Sequence, residues 1–217
     1  MEIISRSIAL LLLFILSPII LLIAILCFIV QGSPVFFKQK RVGFNFKIFE
    51  IYKFRTMTDS DSGGLITLID DKRITLIGNL LRKTKLDEVP QLINILKGEM
   101  RFIGPRPEVP KFYDEKSFQF LKLIKPGISD YSSIIFRNES RILAKIGGDD
   151  PYLKLLPIKL KLADYYSKKK NFMLDLKLVL ITIVSIILPG FSSKYLVLPQ
   201  ISNEITGLKS FINKYMF

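Results

Sequence analysis

Residues 8–30 run 23 positions without a charge, interrupted only by Ser17 and Pro18, and no other feature limits the fold so tightly. As a straight helix such a run crosses a hydrocarbon core of ~30 Å. It exceeds the ~7–15-residue apolar centre of a secretory leader, and no small-residue cleavage site follows it in residues 27–34. The segment is therefore expected to stay in the membrane. Pro18 cannot donate to the carbonyl of Phe14 and its ring crowds that carbonyl, so the helix is expected to break there, with the Ser17 hydroxyl satisfying a freed backbone group. The arms, residues 8–16 and 19–30, each reach only ~14–18 Å. Arg6 lies before the run and Lys38, Lys40 and Arg41 after it, so basic flanks give no direction of crossing. That symmetry suits a re-entrant helix-break-helix with both ends on one side; a kinked true span is the competing reading.

With 217 residues, the chain has room for one ordinary globular domain beyond this segment. Lys and Arg outnumber Asp and Glu by 32 to 19, a net charge of +13, which points to anionic partners such as phosphates, nucleic acid or acidic headgroups. There is no histidine, and Cys27 is the one cysteine. Ser-His and Cys-His nucleophile systems, disulfides and ordinary zinc sites are thereby excluded. Any nucleophile or base is Asp, Glu, Lys, Ser, Thr or Tyr.

Beyond the membrane segment the pattern is globular. Residues 33–57 are rich in β-branched and aromatic side chains around Gly43 and read as two strands joined by a turn. Residues 58–64, "TDSDSGG", read as a polar surface loop. Short helices are expected over residues 78–83 and 88–97, a longer one over 150–170 with Pro157 as an interruption, and a buried or interfacial one over 174–188. The fold class is α+β: a small, mostly helical domain with a short β element, anchored by the N-terminal hairpin.

The stretch "LDEVPQLINILKGEMRFIGPRPE", residues 86–108, concentrates the chemistry. Asp87 falls at or near a helix start, with Pro90 in the first turn, and an N-cap would explain it. Glu88 points about 100° away on a helix, so the two carboxylates are expected to do different work. In "GPRP" the prolines stiffen the backbone around Arg106, which suits a bidentate grip on phosphate. Lys53, Arg55 and Arg82 could add positive charge. No P-loop or G-x-G-x-x-G occurs, so phosphate would be held by side chains and a helix end.

In chain order, the Ser-Pro helix, "GSPVFFKQKRVG", "FEIYKFRTM", "DKRITLIGNLLRKTKLDEVPQLINILKGEMRFIGPRPE", "KPGIS" and "NFMLDLKLVL" resemble the bacterial sugar transferases, the monotopic phosphoglycosyl transferases. The resemblance covers residues 1–188. It implies transfer of a sugar-1-phosphate from a UDP-sugar to a polyprenyl (undecaprenyl) phosphate, with release of UMP and a requirement for Mg²⁺. The location implied is the bacterial inner membrane, with the catalytic domain on the cytoplasmic face. Asp87 would be the nucleophile of a covalent phosphosugar intermediate and a metal ligand, and Glu88 its partner. Lys53, Arg82 and Arg106 would bind phosphate, and Ser17 and Pro18 would form the break of a re-entrant hairpin. The division implied is a membrane element over residues 1–32, a catalytic domain over 33–190 and a tail over 191–217.

Two departures stand out. The family pattern continues "KPGI" with Thr-Gly, where this chain has Ser129 and Asp130. The acidic residue the family carries near an aromatic pair is matched, with a one-residue slip, by Asp164 before Tyr165 and Tyr166; Asp164 is a donor-site candidate whose competing reading is a solvated helix position. The partners implied are the UDP-sugar, polyprenyl phosphate and membrane lipids, without nucleic acid; a homodimer is left open. Two alternatives use the same sequence: a one-step transferase with Glu88 as general base, and a membrane-tethered adaptor binding anionic lipid or RNA.

Overall fold

The computed structural model describes residues 2–58, 67 and 71–216; the polar loop expected over 58–64 lies outside them apart from Thr58. The protein is mostly helical, with two small two-stranded sheets. Helix α1, Glu2–Gln31, is long and apolar enough to cross a membrane. A single helix continues across Pro18 where two arms were expected. The Phe14 carbonyl, which Pro18 cannot serve, accepts a hydrogen bond of 2.7 Å from the Ser17 hydroxyl, so the proline leaves no orphaned acceptor there.

The packing of α1 is continuous along its length. Ala9, Leu12, Leu13 and Leu16 lie against Phe49, Ile51, Leu92, Ile95 and Met100. Ile20, Ile23, Ala24 and Cys27 meet Phe54 and Leu81 further on. These positions recur every three or four residues and form one stripe. The other faces, including Leu10, Leu11, Phe14, Leu21, Leu22, Phe28 and Ile29, are exposed. At the C-terminal end, the Arg55 guanidinium donates to the carbonyls of Gln31, Gly32 and Ser33, placing a cation on the negative end of the helix.

The expected strand pair is present. Strands β1, Phe36–Val42, and β2, Ile48–Phe54, are antiparallel, in register from Phe36 opposite Phe54 to Val42 opposite Ile48. Helix α2, Leu76–Thr84, is capped by the Thr75 hydroxyl, which accepts from Gly78 N. Gly78 is required, because a Cβ there would meet the Thr56 carbonyl oxygen at 2.0 Å. The helix expected over 88–97 divides into a 3-10 turn, Leu86–Gln91, and helix α3, Leu92–Lys97. Asp87 is not the cap: the turn is entered through Lys85 in the left-handed conformation at φ 61 and has no side-chain cap bond. The tighter turn, carrying Pro90, displaces the regular helix to Leu92.

Strands β3, Arg101–Ile103, and β4, Gly127–Ser129, are parallel. They are followed by α4, Tyr131–Ile135, α5, Glu139–Ile146, α6, Pro151–Lys169, and α7, Phe172–Ile187. Pro157 sits inside α6 without ending it. Beyond residue 190 the chain is helical again and contributes Val197, Ile201, Leu208 and Phe211 to the largest hydrophobic cluster, with Tyr152, Leu155, Leu162, Tyr166 and Leu178. The segment expected as a tail is packed into the core of the domain.

Candidate active site

Three elements converge on the Asp-Glu turn. On β2, Phe49 and Ile51 face the interior, and strand alternation carries Lys53 to the same side. The strand is fixed from beneath by Asn94 of α3, which is fully buried. Its Nδ2 donates to the Glu50 carbonyl at 2.6 Å, and its Oδ1 accepts from Tyr52 N at 3.2 Å. The "GPRPE" segment follows β3 and is held by backbone contacts. Val42 N donates to the Glu108 carbonyl at 2.9 Å, Gly104 N to the Ser129 carbonyl at 3.0 Å, and Gly127 N to the Pro105 carbonyl at 3.0 Å.

Glu88 is clamped. Its Oε1 lies 2.8 Å from Lys53 Nζ, 2.8 Å from Arg106 Nη2 and 4.0 Å from Lys85 Nζ. Burial by itself would raise the Glu88 carboxyl, but Arg106, Lys53 and Lys85 outweigh it and hold the group well below the usual carboxylate range. In return Glu88 raises Arg106 and fixes its cation. Lys53 is pushed down to about 8, mainly by burial and against the pull of Glu88.

Asp87 is equally buried, at 6% exposure, but differently served. Burial and then the Glu88 charge raise its carboxyl above the ordinary value, and Lys53, Lys85 and Arg82 oppose them. Its Oδ1 has no hydrogen-bond partner among the described residues. A buried carboxylate oxygen left unpaired in this way is a free acceptor or nucleophile. Arg82 of α2 donates from Nη2 to Thr67 Oγ1 at 3.0 Å, and Asp87 is the leading charge favouring its cation against burial.

Lys53, Arg82, Asp87, Glu88 and Arg106 are thus brought into one electrostatic unit. Asp164 stands apart: on α6 it is half exposed and pairs with Lys168 at 2.6 Å. Arg55, considered for the same charge cluster, serves the end of α1 instead. Sequence reasoning missed Lys85, adjacent in "KTKLDE", and Arg137, which donates to the Lys83 carbonyl at 2.9 Å and feels the Glu88 charge. Nothing in its own "FRNES" surroundings tells Arg137 from a solvated arginine.

Several cations around one spent carboxylate make a receptor for a polyanion, with a second carboxylate oxygen left free beside it. Among the described residues no group of three or more acidic, histidine or cysteine side chains could enclose a metal. The free Asp87 Oδ1 nevertheless fits Mg²⁺, which commonly takes one or two carboxylates and completes its shell with water and substrate phosphate oxygens.

Residues 2–189 match the model of a family described as bacterial sugar transferase. The uncharacterized sugar transferase EpsL of Bacillus subtilis (strain 168) is 41% identical over 156 residues, covering 70% of this chain and 69% of that protein. The UDP-N-acetylgalactosamine-undecaprenyl-phosphate N-acetylgalactosaminephosphotransferase of Aeromonas hydrophila is 34% identical over 185 residues, covering 82% of this chain and 41% of that protein. The UDP-glucose:undecaprenyl-phosphate glucose-1-phosphate transferase of Escherichia coli (strain K12) is 31% identical over 194 residues, 86% and 39% of the respective lengths. The alignments with the last two thus span about two fifths of those relatives' lengths.

Proposed function

The chain belongs to the bacterial sugar transferase family, and from that premise we propose that it moves a sugar-1-phosphate from a UDP-sugar to polyprenyl phosphate through an ester on Asp87. The observation that carries the proposal is the unequal treatment of the two carboxylates. Glu88 is neutralised by Lys53 and Arg106, whereas Asp87 Oδ1 is unpaired among the described residues.

In the first step an Asp87 oxygen attacks the sugar-bearing phosphorus, the bond from that phosphorus to the bridging oxygen breaks, and UMP leaves with the electron pair. In the second, a phosphate oxygen of the polyprenyl phosphate attacks the same phosphorus. The Asp87 ester bond breaks, the carboxylate is regenerated, and a polyprenyl diphosphate sugar departs. Lys53, Arg82 and Arg106 lower the repulsion between the carboxylate and the diphosphate. Mg²⁺, held by Asp87 and phosphate oxygens, would add Lewis-acid screening of the same charge. The one-step alternative asks Glu88 to act as general base, and a carboxyl held well below its usual range by three cations is a weak one.

The membrane reading follows from the α1 stripe. A helix docked on the domain along its length keeps both ends near one polar body, which favours a monotopic seat over a span; a re-entrant bend at Pro18 on entering the bilayer is part of this proposal. We assign residues 1–32 to that seat and the rest of the chain, including the segment beyond residue 190 that packs into its core, to the catalytic domain, facing the cytoplasm of a bacterial inner membrane, where soluble UDP-sugars are made. The product would be the first lipid-linked intermediate of a surface glycan.

The test is UMP release from a panel of UDP-sugars with polyprenyl phosphate in bilayers, joined to mass analysis of protein quenched after donor alone. A phosphosugar adduct mapped to Asp87 is expected. Turnover in Asp87→Asn equal to the parent would refute the mechanism.

A further inference from the structure

Arg106 is the one residue of "GPRP" that must aim a side chain at the dyad, and the peptide that carries it offers a single donor. Pro105 and Pro107 have no N–H, so the Arg106 N–H is the only backbone donor from Pro105 to Pro107. It donates to Asp130 Oδ2 at 3.3 Å. The other oxygen of Asp130 is used elsewhere: Oδ1 accepts from Ser133 N at 2.7 Å and from Ser133 Oγ at 2.7 Å, while Asp130 N donates back to Ser133 Oγ at 2.8 Å. This reciprocal cap starts α4. Asp130 is buried, at 4% exposure, and no ion pair to it is formed among the described residues. Its carboxylate instead spans two elements, one oxygen on the first turn of α4 and the other on the Arg106 peptide.

The backbones it joins already touch. A Cβ on Gly127 would lie 2.2 Å from Gly104 N, and one on Gly104 would lie 2.5 Å from the Lys125 carbonyl oxygen. Residues 104–106 and 127–130 therefore move together, and Asp130 closes the end of that contact nearest Arg106. The family pattern expected from "KPGI" has glycine here, which could not make either bond.

We propose that Asp130 is a positioning residue for Arg106. The inference rests on the transferase reading above. By fixing the Arg106 peptide, Asp130 sets the guanidinium both against Glu88 and toward the donor phosphates. Displacing a charged group in such a site by about 1 Å costs on the order of 100-fold in rate.

The test uses Asp130→Asn, because asparagine caps helices as well as aspartate does but offers only one acceptor oxygen. Retained for Ser133, that oxygen leaves an amide donor facing the Arg106 N–H. The full-length variant in bilayers should stay cooperatively folded with its thermal midpoint lowered by only a few degrees, lose roughly 10- to 100-fold in kcat and change the donor KM little. In an Arg106→Lys background the same change should cost nothing further, because the group it positions is already altered. Parent-like turnover in Asp130→Asn, or losses that multiply in the double variant, would reject the positioning role. Should Asp130→Asn not fold, Asp130→Ser, which caps but is too short to bridge, is read in the same way; unfolding of both would make the residue purely structural and overturn the proposal. If the parent itself releases no UMP, the transferase reading fails and this inference falls with it, whereas a parent-like Asp130→Asn rejects this inference alone.

Discussion

Burial pushes the Lys53 ammonium down to about 8, so this cation is lost on modest alkalinisation while the arginines keep theirs. If Lys53 screens the donor diphosphate, UMP release falls as pH rises through about 8, and Lys53→Arg, whose charge persists to pH ~12, holds its rate there. The acid side has the opposite sign. Asp87 is raised above the ordinary aspartate value, and its ionised form is the proposed nucleophile, so the acid limb of kcat is expected at higher pH than for a free aspartate. Lys53 is among the charges that lower Asp87, so Lys53→Met moves that limb further up, which a pH-rate profile measures. Glu88, by contrast, is depressed and contributes stability present above its unfolded value and lost as pH falls through the folded one. Glu88→Gln leaves Lys53 and Arg106 facing each other without an anion, and denaturant unfolding should show a loss of about 3 kcal/mol. Asp87, Glu88 and Arg106 were legible because they share a run of 23 residues with a stiff proline frame. Lys53 was singled out in its motif only as possible added charge, and its place at the site came from the family resemblance. Asp130 was seen only as a departure, since its partner Arg106 is reached through the β3–β4 contact and no local spacing encodes it.

At the scale of elements, the site depends on two short parallel strands that no periodicity announces. Three residues each in β3 and β4 are too few for an alternating pattern, and the glycines that permit their approach look like ordinary turn residues. Gly127→Ala places a methyl group against Gly104 N. The strands must separate, lowering stability by roughly 1–3 kcal/mol and moving the Arg106 peptide; thermal unfolding and UMP release on one preparation should fall together. The Asp-Glu turn was misjudged for a related reason. A helix start was expected at Asp87 because Asp before an apolar periodic run ordinarily caps, but left-handed Lys85 and Pro90 tighten the chain into a 3-10 turn. That tightening leaves the turn without a side-chain cap bond, as the proposed role of Asp87 requires. Helices α6 and α7 were legible to within a residue or two because their apolar patterns are long.

Across the whole molecule, α1 is both anchor and core. The sequence identified its length, its proline and the Ser17 repair, but a run that is apolar on every face does not disclose which stripe meets protein. Ala9 and Cys27 are fully buried and lie against the same domain, so removing residues 1–32 should do more than release a soluble enzyme. It uncovers Phe49, Ile51, Phe54, Leu81, Ile95 and Met100, and the truncated chain is expected to aggregate in detergent-free buffer, a result that sedimentation reads directly. The link extends to the reacting centre. Lys53 grips Glu88, and two positions later Arg55 grips the final carbonyls of α1. In the proposed membrane seat, a bilayer whose lateral pressure tilts α1 would therefore tug the strand that holds Glu88, the neighbour of the proposed nucleophile. Solubilised and vesicle-bound preparations should then differ in intrinsic turnover as well as in access to lipid, and the choice of amphiphile becomes a catalytic variable.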